Sequence, residues 1–510
     1  MALVYDQETS GLDHYFGQIF QLGVSVCDDH FNITEEFDLR ARRLPWVIPS
    51  PSAMLITKID TNRIETGASC FEMMRRFNEI ARTQSFPVKT LGYNIINFDD
   101  PGLQIAFDQN LLQAKFTTEK NPDGTRNQRN DLLIMMQALL IHQPAAMTLD
   151  IKTKNGAPAL KLGVVCRQNG IDLSEDAAHE ALADNHGTIG IAKLIRSKYQ
   201  PFWDHMMELT TEEGVARILK NHDILHVSKY NFGRASNKII AHITDNPEYP
   251  AEHVAFDLSY DPEPYLNMDI DQLLSTMKLK KKNPFVFIRP NKMPILMPLN
   301  MVDGSVLPAN LDEGVLKSRQ QAIRDHGTFL QAVQKAASRK NEIYGLSPYI
   351  EKQVFHRFSE QGMEAIVQWR KQFYHADWKE RGELVQSFSA ALEKELSMEP
   401  ALIRFKQFGQ RILYDNKPEL LPDSDREYLE AAIANRVLSQ SPKSPQGITT
   451  IHRAINELQE IEQKFAAGKI DYLAQDEGGR ISDLEKYYRK LGDFYQARNG
   501  GHPMIGLSKI

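Results

Sequence analysis

Cysteine is scarce in this chain: Cys27, Cys70 and Cys166 are the only three in 510 residues. They lie far apart and form no CxxC pair, which excludes a disulfide-stapled scaffold and a thiolate metal centre; buried thiols in a reducing cytoplasm are expected. Long apolar runs are missing too. None approaches the ~20 residues that a bilayer-spanning helix needs, so no membrane association is expected. The opening run, residues 1–5 (MALVY), is too short for a signal peptide and has no basic flank. A cytoplasmic location is the resulting expectation. Basic charge is not in excess: 60 Lys and Arg stand against 66 Asp and Glu, a net charge of −6. Overall charge therefore does not hold this chain to nucleic acid. A local groove with stacking surfaces is still compatible with that balance. There is no internal repeat and no long low-complexity segment.

What is present is an ordinary globular composition, 42% hydrophobic and 25% charged. The length exceeds one core and predicts two or three domains. Over the first ~200 residues strand and helix signals alternate. Residues 3–5 and 20–27 are apolar, β-rich runs, and 91–94 reads as a strand end opening a loop. Residues 71–82 and 131–141 have helical spacing, and 174–199 is a long helical stretch with Ser174 as its N-cap. Strands alternating with helices argue for an α/β layer. From about Pro201 the pattern shifts to short β runs at 226–227, 239–243, 253–258 and 285–288, punctuated by Gly, Asn, Asp and Pro. That predicts a small antiparallel barrel or sandwich. Beyond Ser347 the chain reads as helix throughout, with breaks at Pro418, Pro422, Pro442 and Pro445.

Three short patterns carry chemistry. Asp6-Gln7-Glu8-Thr9 closes the first strand, and carboxylates at i and i+2 of a strand share a face. They form either an exposed acidic turn or half of a divalent-cation site, since hard cations take carboxylate oxygens. In Gly92-Tyr93-Asn94-Ile95-Ile96-Asn97-Phe98-Asp99-Asp100, the terminal acids either cap the following helix, with Pro101 at its first helical position, or give Asp99 to a metal. His179-Glu180-Ala181-Leu182-Ala183-Asp184 is the third. Five helical positions separate side chains by roughly 140°, so His179 is expected on a loop or frayed start and Asp184 within regular helix.

Taken together, an early DxET, an Asp after an NxxFD loop and a late HxxxxD resemble the DEDD exonucleases with a catalytic histidine. The resemblance extends to bacterial exonuclease I through residues 53–59 (AMLITKI), 92–100 (GYNIINFDD), 160–171 (LKLGVVCRQNGI), 226–228 (HVS) and 291–296 (NKMPIL). Residues 402–413 and 428–436 resemble segments of its C-terminal part. It implies an α/β RNase H-like exonuclease domain over 1–198, a small SH3-like β-barrel domain over 199–346 and an all-α C-terminal domain over 347–510. Together these would form a C-shaped clamp around single-stranded DNA.

The activity implied is 3′→5′ hydrolysis of single-stranded DNA to 5′-mononucleotides, in DNA repair and recombination. Alternatives are an RNA-directed DEDD exonuclease and a non-catalytic single-stranded nucleic-acid clamp. The resemblance implies two Mg²⁺ ions, with Mn²⁺ as a plausible substitute. Asp6 would bridge both, Glu8 and Asp184 completing one site and Asp99 the other. His179 would be the general base. Glu8, Thr9, Tyr93 and Lys161 are the implied substrate contacts, Lys161 standing where the family has an Arg. Residues 117–130 (TTEKNPDGTRNQRN) lack the family's aromatics, and Lys120, Arg126 and Arg129 are read as compensating phosphate contacts. The C-terminal tail of single-stranded DNA-binding protein is an implied partner, with Arg324 matching one basic residue of its pocket. A monomer is expected.

Overall fold

The computed structural model describes residues 1–173, 180–249, 252–307, 312–340, 345–442, 444–470 and 478–498. Its first sheet has five strands: β1 (Ala2–Thr9), β2 (Ile19–Cys27), β3 (Ile33–Arg40), β4 (Lys89–Gly92) and β5 (Gln128–Asp131). They lie in the order β3-β2-β1-β4-β5. β1 pairs antiparallel with β2 and parallel with β4, which is the RNase H-like arrangement. β2 is buried along its whole length, as a strand covered on both faces must be. β3 lies at the edge and is rich in charge (ITEEFDLR), which discourages pairing with another chain.

Two helices expected from periodicity form for legible reasons. Cys70–Arg82 starts with a reciprocal capping box between Ser69 and Glu72. Leu132–His142 is capped by Asp131, whose carboxylate accepts from the backbone of Leu133 and Ile134. Its sequence, LLIMMQALLIH, is apolar on nearly every side and is buried accordingly.

The second sheet is antiparallel, with β6 (Leu225–Asn231), β7 (Arg234–Asp245), β8 (His253–Asp257), β9 (Phe285–Ile288) and β10 (Ile295–Pro298). Its order is β10-β6-β7-β8-β9. β10 and β9 are the two edges, so among the described residues this SH3-like unit is an open sheet and not a closed barrel. Alternation along β7 divides its faces. Ile239, Ala241 and Ile243 pack with Leu273, Phe329 and Val333. Ile240 faces the other way, into the core that also holds Leu3, Val24, Phe77 and Trp203. The first and second sheets thus share one apolar interior, bridged by the helices Gln200–Glu208 and Glu212–Asn221.

The remaining described residues are mainly helical and pack back on the α/β layer through two apolar clusters. Phe71 and Leu111 join Trp369, Phe373, Phe405 and Phe408, while Phe20, Ile48 and Met54 join Leu458 and Tyr488. No helix among the described residues is long and apolar enough to cross a membrane.

A buried histidine pair lies where the two sheets meet. His142 and His226 pack edge to face at 5.1 Å, and the Ser228 hydroxyl lies 3.4 Å from a ring nitrogen of each. Burial pushes both down to about 4. The unfolded chain therefore binds more protons than the folded one between about pH 6.5 and 4, and stability must fall as pH falls through that window. The loss approaches about 1.4 kcal/mol per pH unit for each histidine. Urea midpoints measured from pH 7 to 4 should decline less steeply in His142→Asn/His226→Asn than in the wild type. Identical slopes would remove the pair as the cause.

Candidate active site

β1 runs through the middle of the first sheet, and its alternation sends Asp6 and Glu8 to one face. Across the ladder Asp6 faces Gly23 and Glu8 faces Gln21. Gly23 is required there by close approach. A Cβ on it would lie 2.6 Å from the backbone carbon of Ala181 and 2.7 Å from the nitrogen of Leu182. Glycine lets the helix Ala181–Lys198 seat its first turn on β2, and that turn carries Asp184. One carboxylate oxygen from each of Asp6, Glu8 and Asp184 then lies within 4.8 Å of the other two.

Asp99 arrives from β4 through a loop in which Asn94 has a positive φ of 69°. Asp131 holds that loop: its carboxylate accepts from the backbone nitrogens of Asn94 at 2.9 Å and Ile96 at 3.0 Å. The helix Asp99–Gln109 follows directly, and Phe98 precedes it with no side-chain cap. The capping alternative for the adjacent acids is therefore not what the structure shows. Asp100 is instead taken up by Arg129, Thr117 and, at 2.7 Å, Gln104. Arg129 also donates to the Asn291 carbonyl and is buried, so it cannot serve as the surface phosphate contact read from sequence. Arg126 is exposed and lies 3.7 Å from Glu212.

The electrostatics of the carboxylates follow from crowding. Burial raises Asp6 well above the usual carboxylate range, and repulsion from Asp99, Asp184 and Glu8 adds to it. Glu8 is raised by burial, then by Asp184, Asp99 and Glu180, while Arg40 pulls it back. Asp99 is pushed up to about 8, first by burial, with backbone N–H groups of Asp99 and Gln7 opposing. Oxygen donors that repel one another when charged are the donor set a hard divalent cation matches, because the ion relieves the repulsion that burial amplifies. The residues therefore fit a divalent cation.

His179 and the Ser174 cap lie outside the described residues. Glu180, next in the chain, is fixed by Gln21 Nε2 at 3.1 Å and Arg40 at 2.7 Å. Of the expected substrate contacts, Lys161 is exposed at the N-cap position of the helix Leu162–Gln168. Tyr93 donates its hydroxyl to the Leu160 carbonyl at 2.6 Å, one residue before Lys161. Thr9 is buried and donates to the Gly11 carbonyl at 2.9 Å. Sequence reasoning missed Gly23, Asp131 and the Arg40–Glu180 pair. The β-run containing Gly23 and the helical stretch 174–199 were both visible, but not that the one crosses the other at Gly23.

Residues 212–339 match the family model of the exonuclease I SH3-like domain. A curated relative, exodeoxyribonuclease I of Buchnera aphidicola subsp. Schizaphis graminum, is 27% identical over 315 residues. Over that length the chain is similar to bacterial exodeoxyribonuclease I. The aligned part covers 59% of this chain and 62% of that exodeoxyribonuclease I, so the alignment spans less than two thirds of the relative's length. The fold is shared over more of the chain. The crystal structure of Escherichia coli exonuclease I in complex with a dA16 oligonucleotide superposes with a TM-score of 0.75 at 19% identity, covering 96% of this chain and 99% of that one. A crystal structure of SSB/exonuclease I in complex with the inhibitor CFAM gives a TM-score of 0.73 at 19% identity, with the same coverage. At that identity the exonuclease I structures establish the fold. The site rests on the geometry above.

Proposed function

We propose that this protein is a 3′→5′ exodeoxyribonuclease that shortens single-stranded DNA one 5′-mononucleotide at a time, in DNA repair and recombination. The observation that carries the reading is the convergence of Asp6, Glu8 and Asp184 within 4.8 Å, with Asp99 near enough to raise Asp6, inside an exonuclease I fold. Asp6, Glu8 and Asp184 would hold one divalent cation and Asp6 with Asp99 a second, Mg²⁺ being the ion that carboxylate and water ligands suit. When bound, the ions supply charge stabilisation at the attacking and leaving oxygens.

The chain's own residues do the rest. Glu8 and Thr9 border the last nucleotide. Lys161 neutralises a backbone phosphate as a point charge, from a turn that Tyr93 fixes through the Leu160 carbonyl. His179 takes a proton from the attacking water, a task an imidazole with an ordinary pKa near 6.5 suits. The water oxygen joins phosphorus, the bond to the 3′ oxygen breaks, and a 5′-mononucleotide leaves. The division at 198/199 and 346/347 is proposed as one of function, with the second and third parts guiding the strand. A structural neighbour's complex with SSB supports SSB as a partner, its acidic C-terminal tail being the part we propose is bound. Arg324, exposed and 3.4 Å from Asp223, is the basic residue we assign to that contact.

The test uses 3′-labelled and 5′-labelled single strands, duplexes and matching RNA, with Mg²⁺ or EDTA. Mononucleotides should come from the 3′ end of single-stranded DNA only, and only with the metal. Release from RNA would favour the RNA-directed alternative. Strand binding without release would favour the clamp.

A further inference from the structure

The second sheet holds a group of side chains that the proposed reaction does not use. His242 and Asp245 stand on β7 and His253 opens β8. Three residues apart on a regular strand, His242 and Asp245 would point to opposite faces. A bulge between His242 and Thr244 changes this. Below it Asp245 pairs with His253, and above it His242 pairs with Ala255. His253 and Ala255 share a face, so the extra residue brings His242, Asp245 and His253 together. Re-aiming a side chain is a common use of a bulge.

The geometry is close. Asp245 Oδ1 lies 3.1 Å from His242 Nε2 and 2.6 Å from His253 Nδ1. The rings are 5.8 Å apart between centroids. One ligand atom from each residue lies within 4.8 Å of the other two. Exposure is graded: the side chains of His253, His242 and Asp245 are 6%, 28% and 61% exposed. The inner imidazole is fixed by the packed sheet, while the carboxylate can adjust and solvent can complete the shell.

We propose that His242, Asp245 and His253 form a zinc site that fastens the end of β7 to the start of β8. Two imidazoles and a carboxylate are donors that zinc accepts readily, whereas magnesium prefers oxygen alone. A tetrahedral ion with ligand bonds near 2.1 Å separates its ligands by about 3.4 Å. Both Asp245 distances already lie inside that spacing. Glu252, the nearest other acid along the chain, is committed to Arg289 at 2.7 Å and to Asn246 at 3.0 Å. It does not compete for the ion. The site stands independently of the nuclease reading.

The test is a zinc titration of the untagged full chain against a chromogenic chelator, in excess Mg²⁺. It is run on the wild type, His242→Ala and Asp245→Asn, and repeated in an Asp6→Asn background to remove binding at the carboxylate site. The two variants alter the exposed side of the site and leave the packed His253 in place. Each should lose one equivalent of bound zinc or bind it at least about a hundredfold more weakly, in both backgrounds. In the wild type, zinc should also raise the melting temperature, and the variants should lack that rise. Equal zinc stoichiometry and affinity in the wild type and both variants would overturn the site.

Discussion

Replacing Asp6 with Asn is expected to lower the rate of nucleotide release at least about a thousandfold, because the charge stabilisation supplied by a bound cation is worth several kcal/mol. The same change should leave the metal-free protein as stable as the wild type, or more stable. Both halves follow from one feature. Asp6 is raised by burial and by three neighbouring acids, so its charge is a liability until a cation arrives. The amide keeps the shape and removes the repulsion, a stability gain at the expense of activity. A residue that merely supported the fold would behave in the opposite way, losing stability and activity together. Single-turnover digestion of 3′-labelled single-stranded DNA gives the first quantity, and urea denaturation in EDTA gives the second. Activity within tenfold of the wild type would remove Asp6 from the site.

The parts of this site that could be read from sequence are those set by short-range geometry. Asp6 and Glu8 share a face because strand side chains alternate, and Asp184 falls in regular helix because the following residues sustain it. The helix Cys70–Arg82 and the largely apolar Leu132–His142 were legible from the spacing of their apolar residues. What was not legible depends on contacts distant in the chain. Arg129, in a polar and basic segment, reads as a surface cation, yet it neutralises Asp100 from 29 positions away. Asp131 reads as the first residue of a helix; it is the cap of that helix, and the same carboxylate also holds the loop that presents Asp99. The bulge that gathers His242, Asp245 and His253 leaves no mark in composition. Simple alternation separates those residues.

Removing the charge at Asp108 should cost about 3–5 kcal/mol of stability, the usual cost of leaving a buried guanidinium without its partner. Asp108 lies near the end of the helix that Asp99 begins. Its carboxylate meets Arg370 at 2.6 Å and Arg404 at 2.9 Å, all three side chains being at most 10% exposed. Those arginines belong to the helices Glu360–His375 and Ile403–Asn416. The ion triad therefore joins the element carrying Asp99 to the C-terminal helices. In Asp108→Asn two cations would face each other with no anion between them. The ring of Phe405, 4.4 Å from both guanidinium carbons, offsets part of the cost. Adding Arg404→Met to Asp108→Asn should restore part of the loss, since it removes one uncompensated charge and retains apolar volume. Hydrogen exchange should rise first in those two helices. Nuclease activity should fall by less than in Asp6→Asn, because Asp99 is disturbed without being removed. A loss below about 1 kcal/mol, the range of exposed ion pairs, would mean that apolar packing around Phe71, Phe373 and Phe405 holds the two parts together without the triad.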